Sequence, residues 1–415
     1  MIITTTLSNV TNNDIIDGKF IIPKSVTHIS QNAFSHCNNL KEIVITKNVK
    51  TIENKAFYDC NSLEKVVIEE GITHIGEKAF CNCTSLKEIN IPNSVIKIDD
   101  NAFENCQSLT SIHLPNSVTS LGCNVFENCK SLTKAILPDN IAFVPEKLFY
   151  RCEALTTVKL PSKATWICDS AFTKCKSLQN IDLSNITEIG EYAFDECASL
   201  TSLKLSAGLR NIEEGTFHEC TSLTEVKLPD DILTIEYEAF CNCTALKSIT
   251  LPKNLAHIDY NVLYKCTSLN TVYYKGNKIE VTCINETPVI IKSSTEIKGC
   301  IVHKCIQLDE FLHEKDDIEY VVTKDNVSLF SDNIDLAISN LYYEISKQTS
   351  KETHIQRIKE QGFLSPDDYR ALTSESYFDT KEFLKKNHLD WNSKIKINDI
   401  KNLTDYHNSL NALMT

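Results

Sequence analysis

Apolar positions across residues 20–276 recur every 23 residues, and the string Ala-Phe-x-x-Cys marks most repeats. It appears as Ala33-Phe34 with Cys37, Ala56-Phe57 with Cys60, and Ala79-Phe80 with Cys83. The phenylalanine column continues through Phe103, Phe126, Phe149, Phe172, Phe194, Phe217 and Phe240, and Leu263 replaces it in the eleventh unit. Only the step from Phe172 to Phe194 is one residue short. Each unit then runs into Leu-x-x-Ile-x-Ile, as in Leu86, Ile89 and Ile91 or Leu223, Val226 and Leu228. Its last two apolar residues flank an outward one, the period of a strand with one buried face. Proline at Pro92, Pro115, Pro138, Pro161, Pro229 and Pro252 closes that strand, where its missing N–H and fixed φ suit a turn. A second apolar pair follows, such as Val95 and Ile98.

One unit cannot fold alone. Ordering each residue costs roughly 1–2 kcal/mol of backbone entropy, whereas each inward side chain returns roughly 1.5–3 kcal/mol only when fully buried. Stacking buries both open faces of every unit and pairs its strand with two neighbours, so stability belongs to the array. The expected fold is an α/β repeat solenoid with one short strand per unit in a parallel sheet. Eleven strands roughly 4.8 Å apart make that sheet roughly 50 Å long.

The whole unit, for example Asn93-Ser94-Val95 through Ile98 and Ala102-Phe103 to Cys106 and Leu109, resembles the BspA-like, or Treponema pallidum-type, class of leucine-rich repeats. The resemblance covers about residues 20–276. It implies a curved solenoid used for protein binding or adhesion, often on the surface of bacteria and some protists.

Composition narrows the chemistry. A net charge of -13 argues against nucleic acid and anionic membranes as partners, since both attract basic surfaces. Eleven of the eighteen cysteines, from Cys37 to Cys266, share one repeat position; stacked side by side, their Cβ vectors do not suit disulfides, and they read as small buried residues. Cys81 with Cys83, Cys241 with Cys243, and Cys300 with Cys305 are the nearest approach to metal-ligand spacing, but none has a second pair. His28, His74 and His257 share a position before a core isoleucine and read as part of a solvated turn. No phosphate loop, GxSxG, HExxH or dinucleotide fingerprint occurs. The expectation is a protein without catalytic residues, metal or cofactor.

A protein partner would meet the outward strand residue of each unit. That column reads Val44, Val67, Asn90, His113, Ile136, Lys159, Asp182, Lys204, Lys227, Thr250 and Tyr273. It turns from apolar at Val44, Val67 and Ile136 to basic at Lys159, Lys204 and Lys227 on an otherwise acidic chain. Tolerated drift on a solvated face is the competing reading.

Residues 1–19 are expected to cap the array and 277–326 to form a β-rich capping segment, through IEVTCI, VIIKSS, GCIVHKCI and EYVVT. Residues 327–415 read as a helical domain, so that the array is followed by a small α+β region. Ile334, Ala337, Ile338, Leu341, Tyr342 and Ile345 share a helix face, with Asp332 as the expected N-cap. Ser365-Pro366-Asp367-Asp368 is a helix start, and Asp379 with Glu382 repeats that signal. The stretch 358–373, containing GFLSPDDYRALT, together with 380–389, is similar to a module appended to repeat proteins of bacteria and their phages, and the similarity implies no known activity. These helices are candidates for a dimer contact.

The N-terminus has no basic region ahead of an apolar stretch and does not read as a signal peptide, and no segment approaches a membrane span. The expected protein is a cytoplasmic, non-enzymatic scaffold that presents its sheet face to a protein partner. The alternatives are a surface adhesin exported by a non-classical route and an effector whose activity lies in residues 277–415.

Overall fold

The computed structural model describes residues 5–313, 318–389, 393–402 and 409–410. The chain packs as two units, Met1–Pro288 and Val289–Thr415.

The first unit is a parallel-sheet solenoid of about 12 turns. Each turn supplies two short strands, where the sequence pattern predicted one. The Leu-x-x-Ile-x-Ile strands stack in register: Glu42–Ile45 pairs with Lys65–Ile68, Ser111–His113 with Lys134–Ile136 and then Thr157–Lys159, and Glu225–Lys227 with Ser248–Thr250 and then Thr271–Tyr274. The second column runs from Thr5–Leu7 through Val26–Ile29, Thr51–Ile52, His74–Ile75 and Lys97–Ile98 to Ser120–Leu121, and it resumes as far as His257–Ile258. His28, His74 and His257 therefore lie in strands and not in the expected turn. Most of these strands are two residues long, too short for alternation to register in sequence. What makes them strands is the backbone of the adjacent turns.

A third ladder runs through the Ala-Phe corner. The Phe34 amide donates to the Ala56 carbonyl at 2.7 Å, and the Phe80 amide to the Ala102 carbonyl at 2.8 Å. Two residues flanking each phenylalanine adopt the left-handed conformation, as at Asn32 and His36 (φ 59° and 63°) or Lys55 and Asp59 (φ 57° and 62°). This costs a non-glycine residue of order 1 kcal/mol or more, and the inter-turn hydrogen bonds it permits offset that cost.

The core is built in columns. The phenylalanines from Phe34 to Phe240 are fully buried and stacked, with ring centroids 4.8–5.7 Å apart. Every cysteine of the shared column donates its thiol hydrogen to a backbone carbonyl. Cys60 reaches Phe34 at 3.0 Å, Cys129 reaches Phe103 at 3.3 Å, and Cys243 reaches Phe217 at 3.3 Å. Burial pushes thiols such as Cys106, Cys152 and Cys220 well above the ordinary thiol value, so they remain donors. All eighteen cysteines are free. At the N-terminus Thr5–Leu7 pairs with Val26–Ile29 and the Val10 carbonyl accepts from Cys37, so this segment supplies the first rung. At the other end Asn277–Glu280 pairs antiparallel with Thr271–Tyr274 and closes the ladder. The predicted IEVTCI segment is thus divided between that strand and Thr282–Ile284.

Among the described residues, helices are confined to the second unit, apart from one 3-10 turn at Asn12–Asp14. Strands Thr287–Ile297, Cys300–Gln307, Glu319–Lys324 and Val327–Ser331 form an antiparallel sheet, with helix α1 (Leu308–Leu312) between the second and third. Helix α2 (Ile334–Lys347) buries Ala337, Ile338 and Leu341 against Cys300, Val302 and Val322. Its N-cap is Asn333, whose side chain accepts from the Leu336 amide at 3.0 Å, and not the expected Asp332. Helices α3 (Lys351–Gln361), α4 (Pro366–Thr373) and α5 (Tyr377–Lys386) enclose a second core of Ile358, Leu364, Tyr369, Leu372, Phe383 and Leu384. Ser365 and Asp368 close a capping box ahead of α4. Ser376 caps α5, and Asp379 is the first-turn residue whose amide Ser376 accepts, at 3.1 Å. Buried Arg370 ties α4 to α2, donating to Ser339 at 3.0 Å and to Asn340 at 2.7 Å.

Candidate partner-binding faces

The strand ladder sets the spacing of the outward column. Val44 stands beside Val67, His113 beside Ile136 beside Lys159, Asp182 beside Lys204, and Lys227 beside Thr250 beside Tyr273. Val44, Asn90, His113, Lys159, Asp182, Lys204, Lys227 and Tyr273 are exposed, while Val67, Ile136 and Thr250 are half-buried. The column is less uniformly available than its sequence implies. The Asn90 amide exchanges hydrogen bonds with the Ile68 backbone, at 2.8 and 3.0 Å, and extends the ladder instead of facing solvent freely. Lys159 pairs with Asp139 at 3.4 Å and Lys204 with Asp182 at 4.0 Å, so two of the three lysines are locally neutralised.

The short unit lies within this face. Leu183 and Ile189 are six residues apart, whereas Leu160 and Ile167 are seven apart, and Ser184 stands where Pro161 stood one turn earlier. The ladder is discontinuous one step earlier, between Thr157–Lys159 and Asp182–Leu183, as it also is between Glu88–Ile89 and Ser111–His113 and between Lys204–Leu205 and Glu225–Lys227. A groove opens at the break, lined by Lys159, Pro161, Asp182, Ser184 and Asn185 among others. The second strand column breaks in the same region, between Glu188–Ile189 and Asn211–Ile212. Its groove is lined by Trp166, Asp169, Glu188, Glu191, Arg210 and Glu213.

The second column carries a feature that the sequence reading missed. Phe143 and Trp166 occupy its outward position in consecutive turns, 43% and 42% exposed, with ring centroids 6.0 Å apart. The available signal was two aromatics at a position that is polar in the other units. Taking that position for a turn concealed it.

Among the described residues one group has the geometry to hold a metal ion: ligand atoms of Glu236, His257 and Asp259 lie within 4.8 Å of one another, with His257 exposed. Two carboxylates and an imidazole suit a divalent cation of oxygen and nitrogen preference. The cysteine pairs singled out by spacing do not assemble. Cys83 and Cys243 belong to the buried ladder, Cys81 donates to Glu104 at 3.5 Å, and Cys305 donates to the Glu319 carbonyl at 3.6 Å.

Short strands in parallel register, with Phe, Cys and Leu columns recurring every 23 residues, define a leucine-rich-repeat solenoid. The family model described as BspA type leucine rich repeat region matches residues 18–133, 96–209 and 187–309, and the chain belongs to that family. No curated protein matches it significantly. Among solved structures it is similar to a leucine rich cell surface protein of Faecalibacterium prausnitzii, with 26% identity over 62% of this chain and 79% of that one, TM-score 0.41. It is also similar to the T. pallidum leucine rich repeat protein, with 27% identity over 49% of this chain and 77% of that one, TM-score 0.27. The pneumococcal vaccine antigen PcpA shares 21% identity over 65% of this chain and 80% of that one, TM-score 0.43. No helix among the described residues is long and apolar enough to cross a membrane.

Proposed function

We propose that this chain is a non-enzymatic protein-binding scaffold whose outward strand face, from Val44 to Tyr273, meets a protein partner. Repeats of this family are typical of surface and protein-interaction proteins. The observation that carries the reading is the contrast between columns. The buried positions repeat Phe, Cys and Leu, while the outward positions beside them change from turn to turn and are held in register by the backbone ladder. The three lysines converted together to glutamate (K159E, K204E, K227E) reverse the basic half of the face, and the expected result is loss of a native partner's capture with folding intact. Unchanged capture by a folded variant rejects this face.

A second reading rests on Phe143 and Trp166. Exposed paired aromatics are strong anchors at protein interfaces, and they place the contact on the second strand column. F143S with W166S abolishes capture under this reading and leaves it unchanged under the first.

The cytoplasm is the proposed compartment, supported by eighteen free cysteines in a chain without a disulfide, a usage typical of reducing compartments. Cell fractionation tests it: recovery with the cytosol is expected, and tight association with the outer surface rejects it in favour of an adhesin.

A further inference from the structure

The last step of the second strand column pairs Thr234–Ile235 with His257–Ile258. Ile235 and Ile258 are buried in the core, so the residues flanking them face outward together, as alternate residues of a strand do. That places Glu236, His257 and Asp259 on one patch. The Asp259 amide donates to the Ile235 carbonyl at 2.8 Å, which holds Asp259 beside Glu236 on the adjacent turn. Ligand atoms of the three side chains lie within 4.8 Å of one another, with His257 exposed and the two acids half-buried. The Tyr260 amide donates to Asp259 Oδ1 at 2.6 Å, so the backbone orients this carboxylate and leaves its second oxygen for a ligand.

An earlier turn shows how the same corner closes on itself. His74 occupies the position of His257, and its Nε2 meets Asp99 Oδ2 at 2.6 Å. Lys97 reaches the other oxygen of Asp99 at 2.7 Å. One carboxylate there is shared by two basic groups, and Gly76 stands where Asp259 does. Around His257 the balance is reversed. Two carboxylates face one imidazole, and among the described residues no lysine or arginine pairs with either; Arg210, Lys253 and Lys265 are taken by Asp231, Asp230 and Glu286. His257 does not close onto either acid as His74 does onto Asp99, and the three groups form an open triangle. Metal bonds of about 2.0–2.2 Å span up to about 4.4 Å between ligand atoms, so small side-chain rotations bring all three within reach of one ion.

We propose that Glu236, His257 and Asp259 bind one first-row transition-metal dication of the Zn2+ type, which clips the last strand of the second column to its neighbour. One imidazole nitrogen with two carboxylate oxygens selects such an ion over Mg2+ and Ca2+, which prefer all-oxygen sites. Among the described residues His257–Ile258 has a strand partner on one side only, and each strand of the pair is two residues long. An ion held by side chains of both turns cross-links this end of the column, and water fills its remaining positions. Read as a turn residue in the sequence, His257 gave no sign of this; its place in a strand beside Glu236 is supplied by the stack.

The test is isothermal titration of the reduced full-length chain with Zn2+, with thermal unfolding measured alongside. The wild type is expected to take up one ion at this site, which His257→Gln, Glu236→Gln and Asp259→Asn each weaken by about tenfold or more. Zn2+ is expected to raise the unfolding temperature of the wild type more than that of His257→Gln, since a ligand stabilises the form that binds it. His74→Gln, at the equivalent position of the earlier turn, leaves the ion bound. Co2+ separates this site from the cysteines: its first equivalent is expected to give d–d absorption without a thiolate charge-transfer band. Should one variant not fold, the other two and the Co2+ spectrum decide the matter. No ion taken up, uptake unchanged in the folded variants, a thiolate band at the first equivalent, or equal affinity for Ca2+ overturns the proposal.

Discussion

At the scale of single residues, most side chains of the array have one neighbour in the turn before and one in the turn after, so a substitution acts along a column. His218 illustrates the thermodynamic consequence. Its folded-state value lies near 10 because it is hydrogen-bonded to Asp195 and then to Cys241, against an ordinary value of 6.5. A raised histidine contributes stability that is fully present below the unfolded value and is lost as pH rises through the folded one. Thermal unfolding is therefore expected to show the greatest excess stability of the wild type over Asp195→Asn below about pH 6.5, shrinking as pH rises towards 10. A difference that does not vary with pH contradicts the pairing. The buried Phe, Cys and Leu columns were legible in sequence because each tolerates one residue type. The left-handed positions were not: Lys55, Lys78 and Glu219 all occupy them, and nothing in those residue types announces positive φ. The contact of His218 with Asp195, at 2.8 Å, was equally hidden, because it appears only when successive turns are superimposed.

At the scale of elements, the long strand of each unit was legible from its alternation and the second was not. A two-residue strand such as His74–Ile75 exists because the backbones of Thr51–Ile52 and Lys97–Ile98 are at hydrogen-bonding distance, and that is a property of the stack. The helix starts divide in the same way. Ser365 was legible because serine, proline and two acids coincide, whereas Asn333 lost to its neighbour Asp332 in the reading because either side chain can cap. Of the outward strand positions, Val67, Ile136 and Thr250 are half-buried and the others exposed, and the ion pairs of Lys159 and Lys204 with acids, and the use of Asn90 as a ladder group, depend on side-chain reach across turns. The phenylalanine column is the element that binds the turns together. Phe126→Ala, with a stacked ring on either side, is expected to destabilise the array by about 3–5 kcal/mol in denaturant unfolding. A loss below about 1 kcal/mol would show that the neighbouring turns collapse into the space.

At the scale of the whole molecule, the array offers two strand columns and therefore two candidate faces, the first notched before Asp182–Leu183 and the second after Glu188–Ile189. The first face carries the mixed column from Val44 to Tyr273; the second carries Phe143 and Trp166. The scaffold reading is tested most directly by measuring one native partner's affinity for the intact chain, for the variant combining K159E, K204E and K227E, and for the variant combining F143S and W166S. Binding through the first face predicts an affinity loss of about a hundredfold or more for the lysine variant and none for the aromatic one. Full affinity in the folded lysine variant contradicts it.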